Sequence, residues 1–198
     1  MAIALAADAL VSLADLKTVL TISESTFDDI LNFMINAASE GFQRIVGCNL
    51  VYATRTAVKV DGNGGTRLRL PHWPVVSISA LTENDVALTE NTDYYLNAKL
   101  GVLIKGGVSV WSTGLRNIVA TYISGYKIDA TVPLLPYDIR QAIIMQAGYW
   151  WKQMDKEDWG QISQSFGDGS SITLYSIIKE DLLPAVRKVA EGYHRPRV

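Results

Sequence analysis

Apolar side chains recur at helical spacing in the first fifty residues and predict two helices. Ser12 followed by Asp15 forms a capping box, and the apolar positions after it fit a short first helix. A second apolar stripe begins near Asp28 and Asp29, whose carboxylates suit the positive end of a helix dipole, and Gly47 is placed to end that helix. The stripe consists of Phe27, Ile30, Leu31, Met34, Ile35, Ala38, Phe42 and Ile45. We expect it to form the core face of a helix about 30 Å long.

From about residue 50 the apolar period changes to two, which predicts β-strands. Residues 51–60 alternate in polarity and are rich in β-branched side chains. The turn cluster at 61–65 separates this strand from 66–70, so we expect the two to pair as a hairpin. Further short apolar runs between turn residues continue to Gly125. Six or seven short strands are most economically arranged as a small antiparallel sandwich or barrel.

Helical spacing returns after Pro136 and continues to about Met154. The segment 155–173 mixes charge, glycine and serine, which is typical of a long loop. A final helix is expected to begin at Pro184, because proline is tolerated at the first helical position, and the residues after Gly192 form a tail.

This order of elements predicts an α+β protein. The N-terminal helices (1–49) and the C-terminal helices, long loop and tail (131–198) are expected to form a small helical bundle. An antiparallel, sandwich- or barrel-like β domain (50–130) is inserted between them.

The composition indicates that the chain assembles with other protein chains. Of the 198 residues, 48% are hydrophobic and 19% are charged, below the roughly 25% charged residues of ordinary soluble chains. Such a surface is expected to be covered in part by partners. The net charge of -2 argues against a bulk positive field for nucleic acid or anionic membrane. No apolar run approaches a membrane span and the N-terminus lacks a basic signal region, so we expect no membrane association and synthesis in the cytoplasm.

Residue types that carry out catalysis or bind metals are sparse. Cys48 is the one cysteine, and His72 and His194 are too few to complete a closed zinc site. There is no Gly-x-Ser-x-Gly elbow and no phosphate-binding loop, and the turn at 61–65 lacks the fifth and twelfth ligands of a calcium loop. The charged run 155–158 is typical of a solvated helix end. We therefore expect no catalytic residues, no metal and no cofactor.

Aromatic residues leave alternatives open. Tyr149, Trp150, Trp151 and Trp159 crowd around one predicted helix end, where they could anchor an interface or fill a local core. The basic residues near the C-terminus, which are Arg187, Lys188, Arg195 and Arg197, suit a solvated or partner-docking arm. An alternative function is a cytoplasmic peptide- or carbohydrate-binding module that uses Trp73, Trp111 and Tyr94 of the β domain. A small hydrolase is disfavoured by the missing triad and metal ligands.

Short phrases spread over nearly the whole chain carry a family resemblance. They are Leu13–Lys17, Arg44–Leu50, Leu70–Ile78, Tyr94–Leu96, Val119–Tyr126, Val132–Pro133, Asp138–Ile143, Leu183–Arg187 and Tyr193–Arg195. In this order they resemble the head–tail connector, or adaptor, family of tailed bacteriophages, in the longer form with an inserted β domain that is similar to the connector of phage HK97. One departure is Val46-Gly47-Cys48, where family members often have Thr-Gly-Arg.

The resemblance implies a non-enzymatic structural protein of the virion neck, made in the host cytoplasm. About twelve copies would form a ring beneath the portal, join capsid to tail, and leave a channel for double-stranded DNA that is not read for sequence. The implied partners are further copies of the chain, the portal protein, and a head-closure or tail protein.

The resemblance also directs attention to two sets of residues. The C-terminal part is expected to dock on the portal or tail and to order on docking, with the partner-binding residues Trp159, Phe166, Tyr193, His194, Arg195, Pro196, Arg197 and Val198. Neighbouring copies are expected to meet along the long second helix and the aromatic cluster. The subunit-interface residues expected there are Phe27, Leu31, Met34, Phe42 and Trp151.

Overall fold

The computed structural model describes residues 2–128, 133–155, 163–165, 171–173 and 182–194. The helices in these residues are α1 (Leu13–Leu20), α2 (Asp28–Val46), α3 (Tyr137–Asp155) and α4 (Pro184–Tyr193). The strands are β1 (Ala53–Gly62), β2 (Arg67–Arg69), β3 (Val75–Glu83), β4 (Val86–Ala87), β5 (Tyr94–Asn97), β6 (Val102–Lys105), β7 (Gly114–Ser124), β8 (Ser163–Ser165) and β9 (Ser171–Thr173).

The chain forms two compact units. The helical unit combines Met1–Gly47 with Leu135–Val198, and the β unit is the continuous stretch Cys48–Leu134. The predicted α+β class is confirmed, because helices and antiparallel sheets each make up a large share of the structure. Within the described residues, no helix is both long and apolar enough to cross a membrane.

The start of α1 and the end of α2 follow the predicted signals. Ser12 caps α1, since its hydroxyl accepts a hydrogen bond from the Asp15 N–H at 3.1 Å. Gly47 ends α2 with φ of 86°, a conformation that glycine adopts without steric strain, and its N–H donates to the Gln43 carbonyl at 2.9 Å.

The core of the helical unit is built around α2, which contacts the other three helices. Its buried side chains face those of α3 and α4, including Ile139, Ile143 and Val186. A Cβ added at Gly41 would lie 3.3 Å from the side chain of Leu182, so a glycine here allows the segment before α4 to approach α2 closely. The Leu183 N–H donates to Oε1 of buried Gln146 at 2.7 Å, which ties the start of α4 to α3.

The β unit contains a four-stranded sheet in the order β1-β7-β3-β4 and a three-stranded sheet in the order β2-β6-β5. All strand pairs in both sheets are antiparallel. The expected hairpin of residues 51–60 with 66–70 is wrong, because β1 pairs with β7 and β2 pairs with β6. Asn63 does stabilise the turn between them, but the turn carries the chain from one sheet to the other.

Side chains from both sheets form one apolar core, as expected for a sandwich. Its buried members are Leu68, Leu70, Val75, Leu81, Tyr94, Leu103, Trp111, Ile118, Ala120 and Tyr122. The segment after α3, which was expected to be an unbroken loop, contains the paired strands β8 and β9.

Candidate subunit and partner interfaces

Three of the residues expected at a subunit interface belong instead to the core of the protomer. Leu31, Met34 and Phe42 are buried on α2. The three other helices cover α2, so its periodic apolar stripe packs inside one chain. Their side chains leave no surface for a neighbouring copy.

Phe27 and Trp151 form an aromatic pair between the start of α2 and the last turns of α3. Their ring centroids lie 5.0 Å apart at an interplanar angle of 71°, which is the favoured edge-to-face geometry. Phe27 remains 37% exposed and Trp151 is half-buried. Part of this pair is therefore accessible to another chain, and its interface role stays a prediction.

An exposed line on α2 carries an aromatic residue that the sequence reasoning missed. Phe33 is 57% exposed, and the same line continues through half-buried Ala37 to the exposed Glu40 and Arg44. The four residues follow one another at intervals of three or four, so they share one side of the helix. The sequence could have identified Phe33 as a surface residue, because it lies outside the apolar stripe, on a side of the helix that does not pack against the core.

A second exposed line runs along α3. Tyr137 and Met145 are 73% and 44% exposed, and exposed Gln141 lies between them at four-residue spacing. Large apolar side chains on α2 and on α3 are therefore exposed to solvent. They lie outside the apolar stripe that the sequence predicted on α2.

The C-terminal end of α4 is held within the protomer. The Tyr193 hydroxyl donates to the Asp138 carboxylate, with oxygen distances of 2.9 and 3.0 Å. The Ile45 carbonyl at the end of α2 accepts from Nδ1 of His194 at 2.8 Å. Tyr193 therefore lies at the end of α4 and not in a free tail, while it is half-buried and His194 is exposed, and the partner-binding role of both residues stays a prediction. The other predicted partner-binding residues, Trp159, Phe166, Arg195, Pro196, Arg197 and Val198, lie outside the described residues.

Two of the aromatic residues expected to bind a ligand in the β unit are core residues. Trp111 and Tyr94 are buried, and the Trp111 ring has no exposed surface. A peptide or sugar could not stack on either ring without unfolding the unit. Trp73, the third ring of the binding-module alternative, is half-buried, so that alternative loses two of its three binding residues.

One ion pair lies beside the core of the β unit. Lys105 Nζ donates to Oε2 of Glu83 and sits 4.5 Å from the centroid of the Trp111 ring, while the Ser112 N–H donates to Oε1 of Glu83 at 2.6 Å. Burial alone would raise the pKa of Glu83, but these hydrogen bonds outweigh burial and hold the pKa below its usual range. The pair anchors the chain just after Trp111 and serves stability.

A second polar contact joins His72 to Tyr122. Nδ1 of His72 lies 3.2 Å from the Tyr122 hydroxyl. Burial raises the pKa of Tyr122 to about 12, and burial together with the Arg55 charge lowers the pKa of His72. Both shifts keep the two groups neutral near pH 7, as suits a structural hydrogen bond. Among the described residues, no group of three or more His, Cys, Asp or Glu is placed to hold a metal ion.

The β unit exposes apolar side chains both in its strands and in their connections. Val108 and Leu115, on either side of the buried Trp111, are almost wholly exposed. The other large apolar residues on this unit's surface are Val76, Val86, Tyr95, Leu100 and Val110. Isolated exposed apolar residues are ordinary, but several near one turn are typical of a surface that meets another protein.

Comparison with protein families adds a match over both units. The model of the family described as "Head completion protein" matches residues 9–195. This chain belongs to the head completion protein family. The resemblance to phage head–tail connectors that the sequence phrases indicated is confirmed.

Solved structures with the same fold come from gene transfer agent particles. A chain from the neck of an empty particle, computed with C6 symmetry, has a TM-score of 0.59 at 17% identity, covering 98% of this chain and 94% of that one. A chain from the neck of a native particle, computed with C12 symmetry, has a TM-score of 0.51 at 16% identity, with coverage of 98% and 93%. A chain from the virion of a native particle has a TM-score of 0.52 at 14% identity, with coverage of 100% and 96%.

At these identities the likeness establishes the fold of the head completion protein and nothing finer. No curated protein matches the chain.

Proposed function

We propose that this head completion protein is a structural protein of the neck of a phage-like particle. Its copies form a ring beneath the portal, join the capsid to the tail, and leave a channel through which double-stranded DNA passes. The observation that carries the proposal is the family match over residues 9–195, supported by a fold shared along 98% of the chain with a neck protein in a C12-symmetric assembly. That symmetry favours about twelve copies.

The surface of the helical unit suits a closed ring. A head-to-tail ring needs two different patches on each protomer, one of which meets the other patch of the next copy. The lines on α2 and α3 that carry Phe33, Tyr137 and Met145 supply two such patches. Burying them between copies would cover apolar area that a free protomer leaves in water. Phe27 and Trp151 extend the α2 patch in this proposal.

The remaining partners are assigned to other parts of the chain. The tail after His194 docks on the portal, and the exposed apolar side chains of Val108 and Leu115 meet a head-closure or tail protein. DNA in the channel is contacted without sequence recognition, in keeping with a net charge of -2 that gives no bulk attraction for phosphate. The role requires no catalysis, cofactor or metal.

Electron microscopy tests the ring directly. The purified chain is imaged alone and mixed with the portal ring of the same genome, and we expect an additional ring-shaped tier on the portal. Phe33→Ser should remove that tier, whereas Val86→Ser, the same kind of change at an exposed site of the β unit, should leave it intact. Absence of a tier with the unaltered chain in both samples would refute the proposal.

Portal docking is tested by changing only the tail. Replacing residues 195–198 by Gly-Ser-Gly-Ser keeps the length and preserves Tyr193 and His194 with their contacts. We expect rings that no longer attach to the portal. Attachment at unchanged affinity would exclude the tail as the docking element while leaving the ring itself in place.

A further inference from the structure

A line of polar side chains on α2 binds the main chain of the N-terminal segment. We call this line the polar ladder; its members are Asp29, Asn32, Asn36, Ser39 and Gln43. The intervals along the sequence alternate between three and four, so the five residues lie on one side of the helix. They are neither part of the apolar stripe nor part of the exposed line that carries Phe33.

The ladder makes six hydrogen bonds to the segment. Asp29 accepts from the Ile3 N–H at 3.1 Å, and Asn32 donates to the Ile3 carbonyl at 2.9 Å. Asn36 accepts from the N–H of Ala6 at 2.9 Å and donates to the carbonyl of Ala4 at 3.0 Å. Ser39 accepts from the N–H of Leu10, and Gln43 donates to the carbonyl of Asp8, both at 3.0 Å.

Every partner atom on the segment belongs to the main chain. The ladder therefore recognises backbone groups of the segment and not its side chains. The lengths agree for the outer part of the segment, because three extended steps from Ile3 to Ala6 span about 10 Å and seven helical steps from Asp29 to Asn36 span about 10 Å. Beyond the turn at residues 6–9 the order reverses, since residue 8 binds Gln43 and residue 10 binds Ser39. The outer part of the ladder is therefore a binding site matched to a short stretch of extended chain.

The outer part of the segment is weakly attached apart from the ladder. Residues 2–8 are exposed or half-buried, whereas Ala9, Leu10 and Val11 are buried and fix the segment's inner end. A turn, in which the Ala9 N–H donates to the Ala6 carbonyl at 3.1 Å, separates the two parts. Opening this turn would release residues 2–8 while the buried anchor stays in place.

We propose that in the ring residues 2–8 of each copy bind the polar ladder of the adjacent copy. This exchange rests on the proposed ring. It keeps the hydrogen bonds of residues 3–8, because every copy has the same segment and the same ladder, and the exchange links neighbours while only the turn at residues 6–9 is lost. Packed helices lie about 8–10 Å apart, within the reach of an extended seven-residue segment.

One ladder atom leaves room for an additional contact. Oδ1 of Asn32 is buried and has no hydrogen-bond partner among the described residues. A segment arriving from a neighbour, without the turn that its own copy imposes, can present a further N–H to this oxygen. A buried acceptor without a donor is unfavourable, so such a contact would favour the exchanged state.

Cysteine cross-linking distinguishes exchange from self-binding. In a Cys48→Ala background, one chain carries Ala6→Cys and a second carries Asn36→Cys, and the two are mixed before ring assembly on the portal. A second pair, Ile3→Cys with Asn32→Cys, repeats the test at another position of the ladder. The control replaces the ladder thiol by Glu40→Cys, which lies on α2 but on its exposed line.

On oxidation we expect covalent dimers of the two different chains at least tenfold above the Glu40→Cys control. Images of the same sample decide what a negative result means. A further sample carries Ala6→Cys and Asn36→Cys in one chain. If rings form without dimers of the two different chains, and this further sample forms internal cross-links, the exchange is overturned and the proposed ring is not affected. Absence of rings would overturn both proposals.

Discussion

The two units of this protein differ in how far along the chain the hydrogen bonds that form their secondary structure reach. The backbone hydrogen bonds and end caps that form α1 and α2 join residues three to five positions apart, as between Ser12 and Asp15. In the β unit the central strand β7 pairs Ser124 with Ala53 on one side and with Val75 on the other. A local pattern therefore describes the helices well, whereas it locates strands without identifying their partners.

The units also accommodate buried polar groups differently. The helical unit uses neutral amides and a hydroxyl on α2 to bind a backbone segment. The β unit uses the ion pair of Glu83 with Lys105 beside Trp111. The β unit should consequently be more sensitive to charge and to pH, and the helical unit to loss of single hydrogen bonds.

The largest expected effect contrasts two aromatic residues. Trp111→Ala removes a fully buried side chain from the β core and should lower the free energy of unfolding by about 4 kcal/mol. Phe33→Ala, at an exposed site of the helical unit, should change it by less than about 0.5 kcal/mol while weakening ring formation. Urea denaturation followed by circular dichroism measures both. Equal losses would contradict the assignment of Phe33 to the surface.

The ion pair provides the next largest effect. Lys105→Met leaves the Glu83 carboxylate without its cation in a nearly buried site, and we expect a loss of about 3 kcal/mol. The double variant Glu83→Gln with Lys105→Met removes both charges and should recover most of that loss. If the double variant is no more stable than the single one, the pair is not what stabilises this region.

A smaller effect is expected at the polar ladder. Asn36→Ala removes two hydrogen bonds to the N-terminal segment and should lower stability by about 1–2 kcal/mol. Amide hydrogen exchange at Ala6 should accelerate strongly, whereas amides in β7 should be unaffected. Glu40→Ala, on the exposed line of the same helix, serves as the control. Unchanged exchange at Ala6 would show that the ladder does not hold the segment.

The smallest effect concerns pH. Burial and the Arg55 charge lower the pKa of His72 in the folded state relative to its ordinary value of 6.5. As the pH falls through 6.5 the unfolded chain takes up a proton that the folded β unit resists, so stability should decrease between about pH 7.5 and pH 5.5. His72→Gln should flatten this part of the profile, as measured by denaturation at each pH. The contribution of Glu83 is separable, since it begins only below its ordinary value of 4.5.

The difference between local patterns and tertiary packing also explains which interface residues could be identified from the sequence. Periodicity identified the apolar face of α2, but it could not say that three other helices would cover Leu31, Met34 and Phe42. Phe33 became visible as a surface residue only once that coverage was known. Likewise, Tyr193 and His194 looked like part of a tail until the helix ends brought them to Asp138 and to the carbonyl of Ile45.

By itself the sequence determined the class of fold, the start of α1, the end of α2, and the family, because caps, apolar periods and ordered phrases act over short stretches of chain. Only the tertiary structure decided that β1 pairs with β7, that Trp111 and Tyr94 are core residues, and that the polar ladder holds the N-terminal segment. Each of these depends on residues that are distant in the chain and become neighbours through packing. Burial and strand pairing of that kind depend on which surfaces of the folded chain pack against one another. A local sequence pattern does not contain that information.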